Sequence, residues 1–571
     1  MSTDVLSLAT KNATLWTSDI FDEATRAEAQ ALLDKGGDDL IEPFYKDLDF
    51  GTGGMRGIMG VGTNRINPYT LGTATTGLIN YAKETYGRDD LKAVIAYDSR
   101  NNSQAFARKV AEVLSANGVY TYLFEELRPT PELSFAVREL GCDFGIVLTA
   151  SHNPKEYNGY KVYWNDGGQL VPPHDGGVIA KVRQTGFEDI NWNVNEDLIE
   201  TISEAIDSKY IANVVAQSLN DDGKEDLKVV FTALHGTSIV SVPPALKASG
   251  FTNVHIVEEQ ATPDGNFPTV DSPNPEEGAA LAMGIAQAEA SGSDIVIGCD
   301  PDTDRVGIAV NDGTGKMQLL NGNDTAALLV HYVLSQADAN HAVPENPFTA
   351  ATVVTTDLIA KISERYNIPC FRCLTGFKWI ADIINNKPEM NFMVGGEESY
   401  GYLIGDSVRD KDAVASAVMI AEMAAYAKAQ GRTVLEQLEA IHREFGQYQE
   451  RLISITKKGR SGAQEIADMM TALRNDPPKT LAGSPVVIAI DHSNSTQTDL
   501  RSGTTSSTEL PASNVLQFIT EAGDKVSARP SGTEPKIKFY FSVCTTTGES
   551  HAETKAELER KIDTFIEELA L

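Results

Sequence analysis

The chain has 571 residues, 42% of them hydrophobic and 22% charged, with a net charge of −32. That length predicts about four domains at ~100–200 residues each, and the composition is that of an ordinary globular protein. So acidic a surface excludes nucleic acid and anionic membrane as partners, because phosphate backbones are bound by clustered Lys and Arg; positive charge for an anionic metabolite must be gathered locally.

Met1 to Asp19 alternates polar and apolar residues, without the basic start and apolar core of a signal peptide. No later run approaches the ~20 apolar residues of a membrane span. Residues 1 to 48 read as helical and polar, with Ala24 to Leu33 favouring helix. Gly51-Thr52-Gly53-Gly54-Met55-Arg56-Gly57 then reads as a loop, since so many glycines imply unusual backbone angles or close approach to a ligand. Strands follow at Ala93–Tyr97, Val119–Phe124 and Phe144–Leu148, with helices at Ala105–Ala116 and Glu132–Leu140 between them. This alternation predicts a mixed or mostly parallel sheet covered on both faces.

The pattern recurs twice. Strands Leu227–Thr232 and Asp294–Gly298 flank helices Pro244–Ser249 and Glu276–Ser291. A further round has strands Ala351–Thr355 and Phe392–Val394 around helical Thr356–Tyr366. Polar stretches at Asn220–Glu225 and Ala337–Pro347 are candidate boundaries. The last ~120 residues, a typical domain length, carry strands Pro485–Ile490 and Lys536–Val543. A helix then places Leu558, Ile562, Phe565 and Leu569 on one face. The expected divisions are 1–218, 219–325, 326–445 and 446–571: three similar α/β mixed-sheet domains and a smaller α+β C-terminal domain.

Four motifs carry candidate chemistry. Thr149-Ala150-Ser151-His152-Asn153-Pro154 directly follows an apolar strand, where open α/β sheets place ligands. Ser151 is a candidate nucleophile with His152 as a proton acceptor; an ordinary turn is the competing reading. Asn158-Gly159-Tyr160-Lys161 and Asp166-Gly167-Gly168 suggest a tight hairpin that carries Lys161 back towards the serine. Asp300-Pro301-Asp302-Thr303-Asp304-Arg305 sets three carboxylates at alternate positions, able to converge on one hard cation. An EF-hand would need Gly at position six and Glu at position twelve; Arg305 and Asn311 stand there. Mg²⁺ held by three carboxylates and an external phosphate oxygen fits better, against the alternative of a solvated acidic turn.

Gly395-Gly396-Glu397-Glu398-Ser399-Tyr400-Gly401 offers paired carboxylates to sugar hydroxyls, or is an exposed Glu-Glu pair. Arg529-Pro530-Ser531-Gly532-Thr533-Glu534-Pro535-Lys536 combines a guanidinium, two hydroxyls and glycine-flanking amides in an anion cradle, or is a hairpin turn. No Walker A sequence is present. Cys370-Phe371-Arg372-Cys373 lacks a second cysteine pair for a zinc site and reads as a strand with ordinary thiols. With Cys142, Cys299 and Cys544 these make five scattered cysteines, the pattern of reduced thiols in a cytoplasm.

In this order the four motifs resemble the α-D-phosphohexomutase family, specifically its phosphoglucomutase/phosphomannomutase members, over about residues 40 to 571. The resemblance implies four domains around a central cleft, each contributing one loop. It implies that Ser151 is a phosphoserine and that Asp300, Asp302 and Asp304 hold Mg²⁺ together with its phosphate. By the same resemblance Glu397 and Ser399 contact sugar hydroxyls, and Arg529, Ser531, Gly532 and Thr533 grip the phosphate that is not reacting. Arg56, Lys161, His152 and Arg305 resemble the family's polar groups around the phosphoserine. Thr375-Gly376-Phe377-Lys378 resembles a further ligand-contacting stretch, with Gly376 and Lys378 as substrate contacts. Either Lys161 or His152 serves as the general base.

The implied reaction interconverts glucose 1-phosphate and glucose 6-phosphate, primed by glucose 1,6-bisphosphate. Glu-Glu-Ser in the third loop resembles glucose-preferring members. Tyr400-Gly401-Tyr402 and the long N-terminal extension resemble a branch that also holds phosphomannomutases and phosphopentomutases. A phosphatase using Ser151 and a non-catalytic sugar-phosphate binding protein are the alternatives from other classes. A phosphosugar is the expected partner, with the chain a monomer or small homo-oligomer.

Overall fold

A computed structural model describes residues 3–51, 53–457, 459–531, 536–545 and 551–571. Helices α1 (Thr3–Leu15), α2 (Glu23–Lys35) and α3 (Gly37–Phe44) open the chain. The core they share is apolar and centred on aromatic rings, those of Trp16 and Phe21 coming from the connection between α1 and α2. Trp16 is fully buried, stacked on Phe21 at 4.5 Å and edge-on to Phe44, Tyr69 and Phe187. This packing fastens the N-terminal helices to the first α/β domain.

That domain runs β1 (Phe50–Gly51), β2 (Gly54–Ile58), α4 (Pro68–Tyr86), β3 (Lys92–Tyr97), α5 (Ser103–Ala116), β4 (Tyr120–Phe124), α6 (Thr130–Glu139), β5 (Phe144–Leu148), β6 (Tyr157–Trp164), α7 (His174–Gln184), β7 (Ile199–Ile202) and α8 (Glu204–Val215). Its seven strands lie in the order β1-β2-β6-β5-β3-β4-β7. β3 pairs in parallel with β4 and β5, and β4 with β7, whereas β6 and β2 continue the sheet antiparallel. Strand β3 is apolar throughout because both its faces are covered. Ala93, Ile95 and Tyr97 join one core and Val94 and Ala96 the opposite one, with Leu133 and Val137 of α6.

The second domain repeats the scheme with β8 (Lys228–Thr232), α9 (Val242–Ala248), β9 (Asn253–Ile256), α10 (Gly278–Ser291), β10 (Ile295–Cys299), β11 (Val306–Asn311) and β12 (Met317–Leu320). Its sheet order is β12-β11-β10-β8-β9. In both sheets the parallel strands give way to antiparallel ones at a single place, from β5 to β6 and from β10 to β11. Those two connections carry the Ser151 and Asp300–Arg305 motifs.

The chain divides into two compact units: residues 1–321, 377–394 and 399–433 form the first, and 322–376, 395–398 and 434–571 the second. In the second, Pro347–Thr352 pairs in parallel with Cys370–Cys373 beside helices Gly322–Ala339, Leu358–Arg365 and Val434–Phe445. The C-terminal region is an eight-stranded sheet with Gln447–Thr456 beside Lys536–Thr545, then Lys525–Pro530, Leu516–Thr520 and Ser484–Asp491. Leu558, Ile562 and Phe565 of helix His551–Glu568 are buried in its core. Among the described residues no helix is long and apolar enough to cross a membrane.

Three local expectations are corrected. The Gly51–Gly57 segment is largely strand, since β2 begins at Gly54. Its glycines serve close packing: a Cβ on Gly54 would sit 1.8 Å from Tyr160 O, at a φ of +131°, and one on Gly159 would sit 2.3 Å from Thr149 O. Asn158-Gly159 is not a hairpin turn but the start of β6, paired with β2; the tight turn comes after the strand, where Gly167 N donates to Trp164 O. The strand expected at Ala351–Thr355 is Pro347–Thr352, because Thr355 N folds back to Thr352 O and the two hydroxyls bond at 2.8 Å.

Gly54→Ala should therefore force β2 away from β6 and destabilise the fold by about 3 kcal/mol or more. Urea unfolding of the variant measures this; an unchanged midpoint would show that β2 can shift without penalty.

Candidate active site

The Ser151 loop is built on an unusual backbone. Ser151 has φ of +52°, a region that non-glycine residues occupy only when their surroundings hold them there. Its amide donates to Thr149 Oγ1 at 2.8 Å, and the hydroxyl of Thr149 donates to the buried carboxylate of Asp98 at 2.7 Å. The Ser151 side chain is thereby turned into the protein interior, where Oγ donates to Asp300 Oδ2 at 2.7 Å. His152 Nδ1 lies 3.2 Å from the same oxygen. Burial, then Arg305 and Arg56, push His152 well below the ordinary imidazole range.

The aspartate loop folds around its own first carboxylate. Asp300 Oδ1 accepts the amides of Asp304 and Arg305 at 3.1 and 3.0 Å, and Thr303 is turned to a φ of +59°. One carboxylate oxygen from each of Asp300, Asp302 and Asp304 then lies within 4.8 Å of the other two, all buried; among the described residues no other His, Cys, Asp and Glu side chains cluster this way. Lys161 Nζ donates to Asp302 Oδ2 at 2.6 Å and Asp304 Oδ2 at 2.9 Å. Lys411 Nζ lies 3.3 Å from Asp304 Oδ2, and Thr130 Oγ1 donates to Asp302 Oδ2 at 3.0 Å.

The remaining oxygens, Asp302 Oδ1 and Asp304 Oδ1, are buried without a hydrogen-bond partner. Buried carboxylate oxygens are ordinarily satisfied, so two orphans side by side in an all-oxygen cluster suit a small divalent cation such as Mg²⁺. Charge balance points the same way. Burial, then the neighbouring Asp302 and Asp304, raise the Asp300 carboxyl well above the carboxylate range. Burial also acts to raise Asp304, but Lys161, Lys411 and Arg305 outweigh it and hold that carboxyl low.

The structure thus brings together Ser151, His152, Lys161 and all three aspartates, with Arg305 Nε 3.8 Å from Asp304 Oδ1. Lys161 reaches Asp302 and Asp304 from a strand register that sets it between Gly54 of β2 and Val147 of β5, beside the carboxylate cluster that Ser151 joins through Asp300. Arg56 sits on β2 with its guanidinium exposed, and Nη1 donates to Asn153 Oδ1 at 3.0 Å. Lys378 is tied elsewhere, 3.8 Å from Asp175 Oδ2 and over the ring of Trp379. Within the second unit, Glu397 Oε1 accepts the Gly376 amide at 2.8 Å, joining two of the expected substrate contacts. Arg529 lies on strand Lys525–Pro530 opposite Lys538, and Ser531 N donates to Lys536 O at 2.7 Å. Ser399 is partly buried. Gly532 and Thr533 lie outside the described residues.

Residues not singled out from the sequence also belong here. Asp98 and Arg100 form a buried pair behind the serine loop. Lys411 is held beside the triplet by Asp410, whose Oδ1 accepts its Nζ at 2.9 Å. Asp98-Ser99-Arg100 follows an apolar strand just as the other two loops do, and that signal could have flagged it. Lys411 lies in the charged run Arg409-Asp410-Lys411-Asp412, which resembles a solvated turn until its burial is seen.

Fold and site together describe tandem α/β domains in which a serine from one sheet meets a carboxylate triplet from the next. Known proteins resemble the chain in sequence and in fold. The family described as phosphoglucomutase/phosphomannomutase, alpha/beta/alpha domains I, II and III, matches residues 47–189, 208–313 and 321–445. A phosphoglucomutase of Staphylococcus haemolyticus is 37% identical over 506 residues, covering 88% of this chain and 91% of that protein. Among solved structures, the exocytosis-sensitive phosphoprotein parafusin of Paramecium, a phosphoglucomutase, superposes with a TM-score of 0.68 at 16% identity, over 92% of this chain and 96% of its own. An N-acetylphosphoglucosamine mutase of Aspergillus fumigatus in complex with glucose 1,6-bisphosphate does so at 0.50 and 13%, over 99% of each chain. The chain belongs to the phosphoglucomutase/phosphomannomutase family of the α-D-phosphohexomutases.

Beside Glu397, the partly buried Glu398 receives the Thr355 hydroxyl at 3.1 Å. Burial, then the charge of Glu397, push its carboxyl from an ordinary 4.5 up to about 7. The folded state therefore holds this proton more tightly than the unfolded chain, so stability falls as pH rises from 4.5 to about 7 and is level beyond. Glu398→Gln should lose that slope, gaining thermal stability over the parent at about pH 8 and not at about pH 5. Melting curves at both pH values check this; an equal offset at the two would contradict the assignment.

Proposed function

We propose that the enzyme interconverts glucose 1-phosphate and glucose 6-phosphate through a phosphorylated Ser151. The observation that carries this reading is the meeting of the Ser151 hydroxyl with Asp300, 2.7 Å apart across two domains, beside the orphaned oxygens of Asp302 and Asp304. A binding protein has no need of a buried nucleophile and a carboxylate triplet beside it. The identity to phosphoglucomutases supports glucose as the sugar, and glucose 1,6-bisphosphate bound to the Aspergillus mutase supports a bisphosphate intermediate.

In the forward direction the phosphoryl group leaves Ser151 for O6 of glucose 1-phosphate, and the O6 proton passes to a base, Lys161 or His152. The 1,6-bisphosphate turns over in the site; its C1 phosphoryl group then returns to Ser151 and the proton is given back to O1, releasing glucose 6-phosphate. In-line transfer of this kind depends on positioning and on neutralising the equatorial oxygens. Arg305 and Arg56 supply fixed positive charge around the serine, and Lys161 adds its own while protonated. Mg²⁺, held by Asp300, Asp302 and Asp304 with a phosphoryl oxygen, supplies further neutralisation when bound. Glu397 and Ser399 recognise sugar hydroxyls, Gly376 and Lys378 are further substrate contacts, and Arg529, Ser531, Gly532 and Thr533 hold the idle phosphate. The same reading divides the chain at 218/219, 325/326 and 445/446 and locates it in the cytoplasm.

Ser151→Ala should lose at least ~10³-fold in turnover while keeping the parent's melting temperature. A coupled assay with glucose 1,6-bisphosphate and glucose, mannose or ribose 1-phosphate tests this, and near-normal activity of the variant would refute the nucleophile. Faster turnover of the mannose or ribose ester would reassign the substrate, and binding without turnover would reduce the protein to a binder. Asp302→Asn should fold normally, lose ~10²-fold or more in rate and need far more Mg²⁺ for half-maximal activity; an unchanged metal titration would remove the triplet from the metal site.

A further inference from the structure

Behind the serine loop lies a buried charge that touches neither the cleft-side oxygens of the aspartates nor the Ser151 hydroxyl. Arg100 follows β3, and its side chain is wholly buried with that of Asp98, Nε lying 3.3 Å from Asp98 Oδ2. Its guanidinium donates to four backbone carbonyls of one loop: Nη2 to Ser151 O and Asn153 O, Nη1 to Pro154 O at 2.9 Å and Tyr157 O at 3.1 Å. These acceptors span the connection from Ser151 to the first residue of β6. The far face of the guanidinium is closed by the ring of Phe267, 5.2 Å away.

Asp98 holds the loop from its other end. Its Oδ2 receives the hydroxyl of Thr149, whose oxygen accepts the Ser151 amide, and its Oδ1 receives the Arg100 amide at 3.0 Å. Ser151 is thus fixed through both its N–H and its C=O by one ion pair. This accounts for its left-handed backbone: with φ of +52° the residue is strained, and strained conformations persist only where the surroundings over-determine them. Five guanidinium N–H donors in a rigid plane suit several carbonyls at once, which an ammonium cannot match.

We infer that the Arg100–Asp98 pair is a positioning device for phosphoryl transfer, holding the Ser151 backbone so that Oγ is presented to Asp300 and to the incoming phosphoryl group. This rests on the mutase reading above and adds to it a pair that touches no substrate and acts wholly through the main chain. Displacing a reacting atom by about 1 Å costs on the order of 10²-fold in rate. A loop freed at Ser151, Asn153, Pro154 and Tyr157 together has that latitude.

The test is Arg100→Lys, which keeps a positive charge beside Asp98 and removes the fork. Single-turnover transfer from glucose 1,6-bisphosphate to dephosphorylated enzyme, followed by mass spectrometry of the Ser151 peptide, separates the rate constant from the fraction of active sites. The rate constant and kcat should both fall about 100-fold, with KM for glucose 1-phosphate within about threefold of the parent. A merely structural role would lower the amplitude and leave the rate constant alone, and that result would overturn the assignment. Should Arg100→Lys not fold, Thr149→Val cuts only the link between Asp98 and the Ser151 amide. It should slow transfer about 10-fold, with Thr149→Ser restoring it; an unslowed Thr149→Val overturns the assignment equally. If the unaltered enzyme takes no phosphoryl group on Ser151, the mutase reading itself fails and the positioning role with it.

Discussion

Three carboxylates pressed within 4.8 Å of one another in a buried loop are the constraint on which the rest depends. Each pair of unit charges ~4 Å apart repels by about 4 kcal/mol at an effective dielectric of ~20, so the loop needs compensating charge from outside itself. Lys161 comes from the first domain, and Lys411 from the segment after the Gly-Glu-Glu-Ser motif. Thr130 and Ser151 add hydrogen bonds from the first domain. The electrostatic need of one loop is therefore met by elements far away in the chain, and meeting it draws Ser151 to the carboxylate triplet.

The protein solves a second problem by burying charge a layer further back. Loops at the ends of strands have no ladder to fix them, yet transfer chemistry needs an atom held to a fraction of an ångström. Around Ser151 the ladder's place is taken by side-chain donors on main-chain acceptors. Around Asp300 it is taken by the loop's own amides, which close on the first carboxylate. Both loops contain a non-glycine residue with positive φ, Ser151 and Thr303. The close approach of β2 to β6, possible only because Gly54 and Gly159 lack Cβ atoms, aligns Lys161 with this arrangement.

Much of the site could be read from the chain because its parts are local. Phe144–Leu148 is apolar on every residue and is followed at once by Ser151; Ile295–Cys299 is followed by Asp300-Pro301-Asp302-Thr303-Asp304 in the same way. What escaped reading was whatever depends on a partner. Lys161 was recognisable as a cation but not as the ligand of Asp302 and Asp304, and Asn158-Gly159 resembled a turn because its neighbour β2 could not be seen. Lys411 sits in a charged run that looks solvated, and only burial distinguishes it from a surface residue. Lys378, singled out by its motif, has Asp175 and Trp379 as neighbours.

By itself the amino-acid order determined which segments become strands and helices, since periodic apolar side chains act over a few residues. It also placed a serine, a carboxylate triplet and two glycine-bounded polar loops at the ends of those segments. Only the tertiary structure decided which of them share a site. Ser151 and Asp300 stand 149 positions apart, and Lys161 and Asp304 stand 143 apart. A hydrogen bond acts over about 3 Å whatever the separation along the chain. Direction and burial, neither of which is written in the order of residues, turned those separate groups into one centre.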